Sequence, residues 1–160
     1  MKRKFCSLVL FVVAFSASAD ISGRIVRVLD GDTVEILDPG NRLTRVRLAG
    51  IDAPEKRQDF GQKAKTSLSA LAFQQKAVAD CRKKDRYQRE VCVVRVNGQD
   101  VGLAQIRRGM AWWYQQYAKD QLPSERSDYE HAELMAKLHR IGLWVAKDPT
   151  PPWEWRRNAH

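Results

Sequence analysis

Three carboxylates in the first half of the chain have the type and position to serve phosphoryl chemistry: Asp32, Asp52 and Glu55. Each stands at the end of a predicted strand or in a loop, where side chains from different segments can converge. Two or three carboxylates with backbone oxygens suit a hard cation such as Ca²⁺. Such a cation promotes phosphodiester hydrolysis, because it binds a non-bridging oxygen and orients the attacking water. Turn formation is the alternative; it stays open for Asp32, and we favour it for Asp30.

Two arginines could hold the phosphate of such a substrate. Arg47 lies on the polar face of a predicted strand that leads into Asp52 and Glu55. A guanidinium donates two parallel hydrogen bonds to phosphate and stays charged, so it can stabilise negative charge that builds on phosphorus. Arg89 closes a loop that offers further basic and aromatic side chains: Lys83, Lys84, Arg86 and Tyr87. A solvated hairpin tip is the alternative interpretation of that loop.

Five short segments rich in β-branched residues predict the strands that would position these groups: 21–28, 33–37, 43–48, 78–81 and 91–96. In the third segment, Arg45 and Arg47 alternate with Val46 and Leu48, so the arginines face away from the apolar side. The polar run 82–90 joins the last two strands as a hairpin.

Apolar residues at helical spacing predict three helices: 62–76, 100–108 and 124–140. In the last of these we expect Ala132, Met135 and Leu138 to face inward. Strands followed by a helix, a hairpin and two more helices indicate an α+β fold. A curled five-stranded sheet capped by helices would be an OB-type barrel.

The amino terminus reads as an export signal. Lys2, Arg3 and Lys4 precede an apolar run over 5–15, and small residues end at Ala19, which together indicate a signal peptide over 1–19. The run is too short to span a bilayer, which takes about 20 residues. We therefore expect an exported protein, periplasmic or secreted, without stable membrane association once the signal is removed.

Composition fits one soluble domain with a basic balance. The 160 residues include 28 Lys and Arg against 19 Asp and Glu, a formal net charge of +9. Without the three cations of the signal segment the charge would be +6, which still attracts polyanions, above all nucleic acid. We expect the domain at 20–147 and a Pro/Trp-rich tail at 148–160. That tail is expected to be non-helical, with its Trp residues either docked or loose.

Cys81 and Cys92 flank the predicted hairpin at nearly equal distances from its tip. An exported protein meets an oxidising compartment, where paired thiols form disulfides. A zinc site is a poor alternative, because two Cys without nearby His cannot complete the ligand set. The sequence therefore predicts a Cys81–Cys92 disulfide.

Three motifs occur in a family-specific order: Asp30-Gly31-Asp32-Thr33, then Arg47-Leu48-x-x-Ile51-Asp52-x-Pro54-Glu55, then Asp85-x-Tyr87-x-Arg89. Together they resemble the staphylococcal nuclease family over about residues 21–145. The resemblance implies an OB-fold barrel with three helices. It also implies Ca²⁺-dependent hydrolysis of DNA and RNA that leaves a 3′-phosphate end. Separately from the resemblance, we expect a monomer, although the sequence leaves the oligomeric state open.

The resemblance also implies residue roles. Asp32, Asp52 and the backbone carbonyl of Ala53 would bind the metal, and Glu55 would be the general base. Arg47 and Arg89 would clamp the phosphate under attack, and the remaining contacts to substrate would come from Arg86, Tyr87, Tyr114 and Tyr117.

Two positions depart from the family pattern. Many relatives carry Thr where this chain has Ala53, so a supporting hydroxyl is absent. Gln88 stands where relatives usually have Gly, which predicts a stiffer loop. The competing hypothesis is a non-catalytic OB module that binds single strands by stacking and a basic groove. We disfavour it because all five expected catalytic and metal-binding side chains are present.

Overall fold

The three N-terminal strands form an antiparallel meander at the predicted bounds: β1 Ile21–Val28, β2 Thr33–Leu37 and β3 Leu43–Leu48. The structure is a computed structural model that describes residues 20–158, so the predicted signal peptide lies outside the described part. A register shift between Ile25 and Arg27 interrupts the β1–β2 ladder. Because side chains alternate along a strand, this bulge lets both Ile25 and Val28 face the core.

The other elements follow in chain order: β4 Ile51–Asp52, α1 Gly61–Ala72, β5 Lys76–Lys84, β6 Glu90–Val96, β7 Gln99–Asp100, α2 Val101–Arg107, β8 Trp112–Trp113, α3 Pro123–Leu138 and α4 Pro152–Asn158. Two 3₁₀ turns, Gln115–Asp120 and Gly142–Val145, flank α3. Helix α1 ends four residues before the predicted bound, because Lys76 already pairs with Arg24 of β1.

Five strands close into a barrel. β1 pairs antiparallel with β2 and β5, β2 with β3, and β5 with β6, while a parallel pairing of β3 with β6 closes the ring. The predicted α+β class and OB-type barrel are confirmed. The described residues contain four α-helices rather than the three expected, since the fourth lies in the tail.

Helix α3 turns a different face to the core from the one predicted. Tyr129, Ala132, Glu133 and Ala136 are buried, at i, i+3, i+4 and i+7, whereas Leu138 is 69% exposed. The expectation that Leu138 faces inward was wrong. The expected inward residues Ala132, Met135 and Leu138 are spaced by three, which is less than one full turn, so each lies further around the helix. Six residues at 3.6 per turn place Leu138 about 120° from Ala132.

Residues 152–158 of the C-terminal tail are helical, so the expectation of a non-helical tail was wrong as well. Pro152 begins α4, and proline is tolerated in the first helical turn, where its missing N–H would have no partner. Trp153 docks on the domain, with its ring 6.4 Å from that of Trp112. In residues 20–158 we find no helix with the length and apolar character needed to cross a membrane.

Cys81 and Cys92 are directly opposed in the β5–β6 ladder and are joined by a disulfide. Their Cα atoms lie 4.0 Å apart, slightly closer than the usual 4.4–6.8 Å. The bridge therefore ties the two strands together below the loop that carries Arg86, Tyr87 and Arg89.

Candidate active site

All ten residues predicted to bind metal or substrate, or to act in catalysis, line one cleft of about 580 Å³. The cleft lies where strand ends of the barrel meet the β5–β6 hairpin and the segment after β8. Residues far apart in the chain are thus brought together: Arg47, Glu55, Arg89, Arg86, Tyr87, Tyr114, Tyr117, Asp32, Asp52 and Ala53.

Asp32, Arg47 and Asp52 form the centre of the cleft. The β2–β3 ladder pairs Thr33 with Arg47, which brings Arg47 beside Asp32. Arg47 Nη2 donates to Asp52 Oδ1 at 3.1 Å and lies 3.6 Å from Asp32 Oδ2. Both carboxylates are almost fully buried. One guanidinium nitrogen thus serves two carboxylates from different strand ends.

The turn that carries Asp32 is held tightly against the domain. A side chain at Gly31 would start 2.6 Å from the Cβ of Ala53 and 2.7 Å from that of Ala64, so only glycine fits there. The buried amide of Gln105 donates to the carbonyls of Gly31 and Ala64, both at 2.9 Å. Asp32 Oδ2 in turn accepts from the backbone N–H of Ala53 at 3.0 Å.

Burial and mutual repulsion raise the pKa of carboxylates at this centre. Desolvation, followed by the charge of Asp32, raises the pKa of Asp30 to about 6. Desolvation also raises the pKa of Asp52, although Arg156 and Arg47 oppose the shift. Burial disfavours charge on Arg47, yet the adjacent carboxylates outweigh that effect and its pKa is raised. The centre therefore carries more negative than positive charge and favours an additional cation.

Glu55 lies in the loop between β4 and α1, partly open to the cleft. Gln58 fixes the backbone of Glu55 by two hydrogen bonds. Its side-chain oxygen accepts from Glu55 N at 3.0 Å, and its backbone N–H donates to Glu55 O at 2.9 Å. The side chain of Glu55 accepts from Arg156 Nη1 at 2.7 Å. This arginine lies on α4 and was not among the predicted site residues.

The β5–β6 hairpin tip presents Arg86, Tyr87 and Arg89. Both guanidinium groups pack on the Tyr87 ring, at 4.8 Å for Arg86 and 5.3 Å for Arg89. Gln88 adopts φ +63°. This left-handed conformation is unfavourable by on the order of 1–2 kcal/mol for residues other than glycine. This strain explains why glycine suits the position, and Asp85 supports the loop by accepting from the backbone N–H groups of Tyr87 and Arg89.

Tyr114 and Tyr117 form an edge-to-face pair with ring centroids 5.0 Å apart at one end of the cleft. Tyr114 follows β8, which pairs with β4, and its N–H donates to Gly50 O at 2.9 Å. Trp153 of α4 stacks on Tyr114, with ring centroids 5.3 Å apart and planes inclined by 20°. The aromatic pair is therefore shared between the cleft and the C-terminal helix.

A hard cation fits the chemistry of the donors at the centre. Asp32 and Asp52 supply carboxylate oxygens, and Ala53 follows Asp52 directly and would add a carbonyl oxygen. Within residues 20–158, no three His, Cys, Asp or Glu side chains form a metal-binding group. Backbone carbonyls and water commonly join carboxylates in Ca²⁺ shells.

Two functional neighbours escaped sequence reasoning. Gln105 carries no motif, and only its burial and two carbonyl partners reveal its role. Arg156 lies about 100 residues from Asp52 and Glu55 in the chain. The one signal for it was the dense run Trp153-Glu154-Trp155-Arg156-Arg157, which could have suggested a docked segment.

Comparison with known proteins gives one consistent family. Residues 45–146 match the family model described as staphylococcal nuclease homologue. A Haemophilus influenzae protein named "uncharacterized endonuclease" is 42% identical over 94% of this chain and 82% of its own length. An Escherichia coli O157:H7 protein of the same name is 40% identical, covering 96% and 97%. The "micrococcal nuclease" of Shigella flexneri is 39% identical, covering 97% and 91%. The chain therefore belongs to the staphylococcal nuclease family.

Proposed function

We propose that this protein is a nuclease that hydrolyses phosphodiester bonds in DNA and RNA with the help of Ca²⁺. One observation carries the proposal: Arg47 joins two buried carboxylates, Asp32 and Asp52, in a cleft that also holds Glu55 and Arg89. Family membership and the names of the nuclease relatives support the same reaction.

Asp32, Asp52 and the carbonyl of Ala53 would hold the cation. When bound, the cation supplies positive charge to a non-bridging phosphate oxygen. The uneven charge of the centre supports this role, since the three carboxylates of Asp30, Asp32 and Asp52 face the two guanidinium groups of Arg47 and Arg156. The absence of a Thr hydroxyl at Ala53 does not remove the backbone carbonyl.

Glu55 would act as the general base. Its carboxylate lies at the cleft wall, partly exposed, and is held at Oε1 by Arg156. It would take a proton from water as the oxygen attacks phosphorus. The bond from phosphorus to the 5′ oxygen would break as the new bond forms. The 5′ oxygen would leave as a hydroxyl after taking a proton from solvent, and the phosphate would stay on the 3′ end.

Arg47 and Arg89 would hold the phosphate oxygens from two sides. Arg47 belongs to β3 and Arg89 to the hairpin before β6, and these two strands pair in parallel at Arg47 and Val91. Their planar guanidinium groups match the geometry of phosphate. Negative charge grows at these oxygens in the transition state, so fixed donors there lower the barrier.

The remaining predicted residues would bind substrate. Arg86 and Tyr87 at the hairpin tip would contact a terminal phosphate, and Tyr114 and Tyr117 would stack on a base. We propose that the protein acts as a monomer after export to the periplasm or the medium, with 20–147 as the domain and 1–19 removed as a signal peptide.

A single-strand-binding OB module without catalysis is the second candidate. Its observation is the aromatic and basic lining of the cleft, which would bind nucleic acid whether or not it cuts. Incubation of purified protein with 5′-labelled single-stranded DNA and RNA in Ca²⁺ separates the two. We expect shortened products with 3′-phosphate ends; stable binding with intact strands would support the module instead.

A further inference from the structure

The C-terminal helix α4 reaches into the centre of the cleft through Arg156. Nη2 of Arg156 donates to Asp52 Oδ2 at 2.7 Å, and Nη1 donates to Asp52 Oδ1 at 3.2 Å. Nη1 also donates to Glu55 Oε1 at 2.7 Å. One guanidinium therefore occupies both oxygens of a proposed metal ligand and one oxygen of the proposed base.

The helix is anchored beside the cleft by several contacts of its own. Pro152 is buried. Trp153 stacks on Tyr114 and makes an edge-to-face contact with Trp112. The side chain of Gln58 donates to the carbonyl of Thr150 at 2.6 Å, just before the helix. Because Gln58 also fixes the backbone of Glu55, the tail and the base share one support.

We propose that α4 is an intramolecular competitor for the active site, in which Arg156 takes the place of the divalent cation at Asp52 and Glu55. This inference rests on the cation role proposed for Asp32 and Asp52. Ca²⁺ binds carboxylate oxygens at about 2.3–2.6 Å, so it needs the same oxygen atoms that Arg156 engages. Arg47 already donates to Asp52 Oδ1, so a Ca²⁺ ion beside Arg156 would be a third cation on one buried carboxylate, and their mutual repulsion disfavours it.

Trp153 extends the competition to the substrate. It covers a face of Tyr114, one of the two rings proposed to stack on a base. The docked helix thus places two groups in the cleft: Arg156, which resembles the metal cation in charge, and Trp153, which resembles a stacked nucleobase. Since coupling between two binding events is reciprocal, Ca²⁺ must weaken helix docking as much as docking weakens Ca²⁺ binding.

Calorimetric titration with Ca²⁺ tests the competition directly, using the wild type and four variants. In Arg156→Gln we expect the Ca²⁺ dissociation constant to fall at least about tenfold, and in Arg156→Lys we expect a smaller fall. Arg157→Gln is the matched control, because within residues 20–158 that exposed side chain pairs with Glu154 alone, at 3.9 Å. Asp52→Asn reports on the metal site itself and should lose Ca²⁺ binding.

Hydrogen exchange of the backbone amides of residues 153–158 gives a second readout that does not depend on affinity. Saturating Ca²⁺ should speed exchange there in the wild type, because the helix is released. Equal Ca²⁺ affinity in wild type and Arg156→Gln, or unchanged exchange with Ca²⁺ bound, would overturn the competition while Asp52→Asn still shows the metal site. Undiminished Ca²⁺ binding in Asp52→Asn would instead refute the proposed metal site.

Discussion

The carboxylate of Asp85 holds the guanidinium of Arg89, with Nε 2.7 Å from Oδ2. Its other oxygen, Oδ1, accepts from the backbone N–H groups of Tyr87 and Arg89. These bonds and the Arg89 charge hold the pKa of Asp85 below its usual value, against the effect of burial. A single carboxylate thus shapes the hairpin tip and aims a proposed phosphate clamp into the cleft.

Asp85→Asn should impair catalysis while the loop stays formed. The amide oxygen can still accept from the backbone, but the charged partner of Arg89 Nε is lost. A misplaced clamp should lower kcat about 10- to 100-fold, measured by cleavage of single-stranded DNA. Asp38→Asn is the matched control, because Asp38 makes the same bonds to the backbone and Nε of Arg42 in an exposed turn. Equal rates in both variants would contradict the positioning role of Asp85.

Glu55→Gln should separate cleavage from binding. The amide cannot take a proton from water, so the rate should fall by about 10²- to 10⁴-fold. Its oxygen can still accept from Arg156, and the phosphate clamps are untouched, so affinity for single-stranded DNA should persist. Fluorescence anisotropy and a cleavage assay measure the two effects, with the exposed Glu130→Gln as control. Loss of binding together with cleavage would show that Glu55 is not simply a base.

Nucleic-acid affinity should fall with salt, because binding releases counterions from phosphates. Lys83 and Lys84 are paired with Asp120 and Glu90, whereas Arg86 packs on Tyr87. Arg86→Gln should therefore flatten a plot of log affinity against log salt, by about 0.7 for one phosphate contact on a single strand. Lys84→Gln should change the slope less. A larger effect of Lys84→Gln than of Arg86→Gln on the slope would contradict the assignment of this phosphate contact to Arg86.

Removal of the disulfide should destabilise the domain. Cys81 and Cys92 close a short loop, and the chain-entropy model gives about 3 kcal/mol for a loop of similar size. The double variant Cys81→Ala/Cys92→Ala should lower the free energy of unfolding in urea by roughly that amount. Wild type in reductant is the control and should lose a similar amount. Two free thiols in protein from an oxidising compartment, or an unchanged urea midpoint, would contradict this prediction.

The barrel could be predicted from sequence because its signals are local. Alternation of Arg45 and Arg47 with Val46 and Leu48 marks the faces of β3, and the structure keeps those faces. Helix α3 was harder, because an inward stripe drawn through Leu138 ignored that Tyr129 and Glu133 are buried. Glu133 is buried because its carboxylate accepts from the backbone N–H of Trp113, a partner that no local pattern reveals.

The site divides in the same way. Asp32, Asp52, Glu55, Arg47 and Arg89 carry motifs at short spacing, so sequence alone could name them, and the structure brings them into one cleft. Arg156 could not be named, because its contacts depend on how a Pro-rich tail folds back onto the barrel. Proline suggested a non-helical tail, yet Pro152 occupies the one helical turn that accepts it.

The requirement for a bound cation at Asp52 is the most direct test of the central claim. Cleavage of 5′-labelled single-stranded DNA should be compared in Ca²⁺ and in excess chelator, for wild type, Asp52→Asn and Arg89→Lys. We predict activity only in Ca²⁺, and losses in both variants on the order of 10²-fold or more, with Arg89→Lys impaired because an ammonium cannot make paired bonds to phosphate. Full activity in chelator, or near wild-type rates in both variants, would contradict the proposed mechanism.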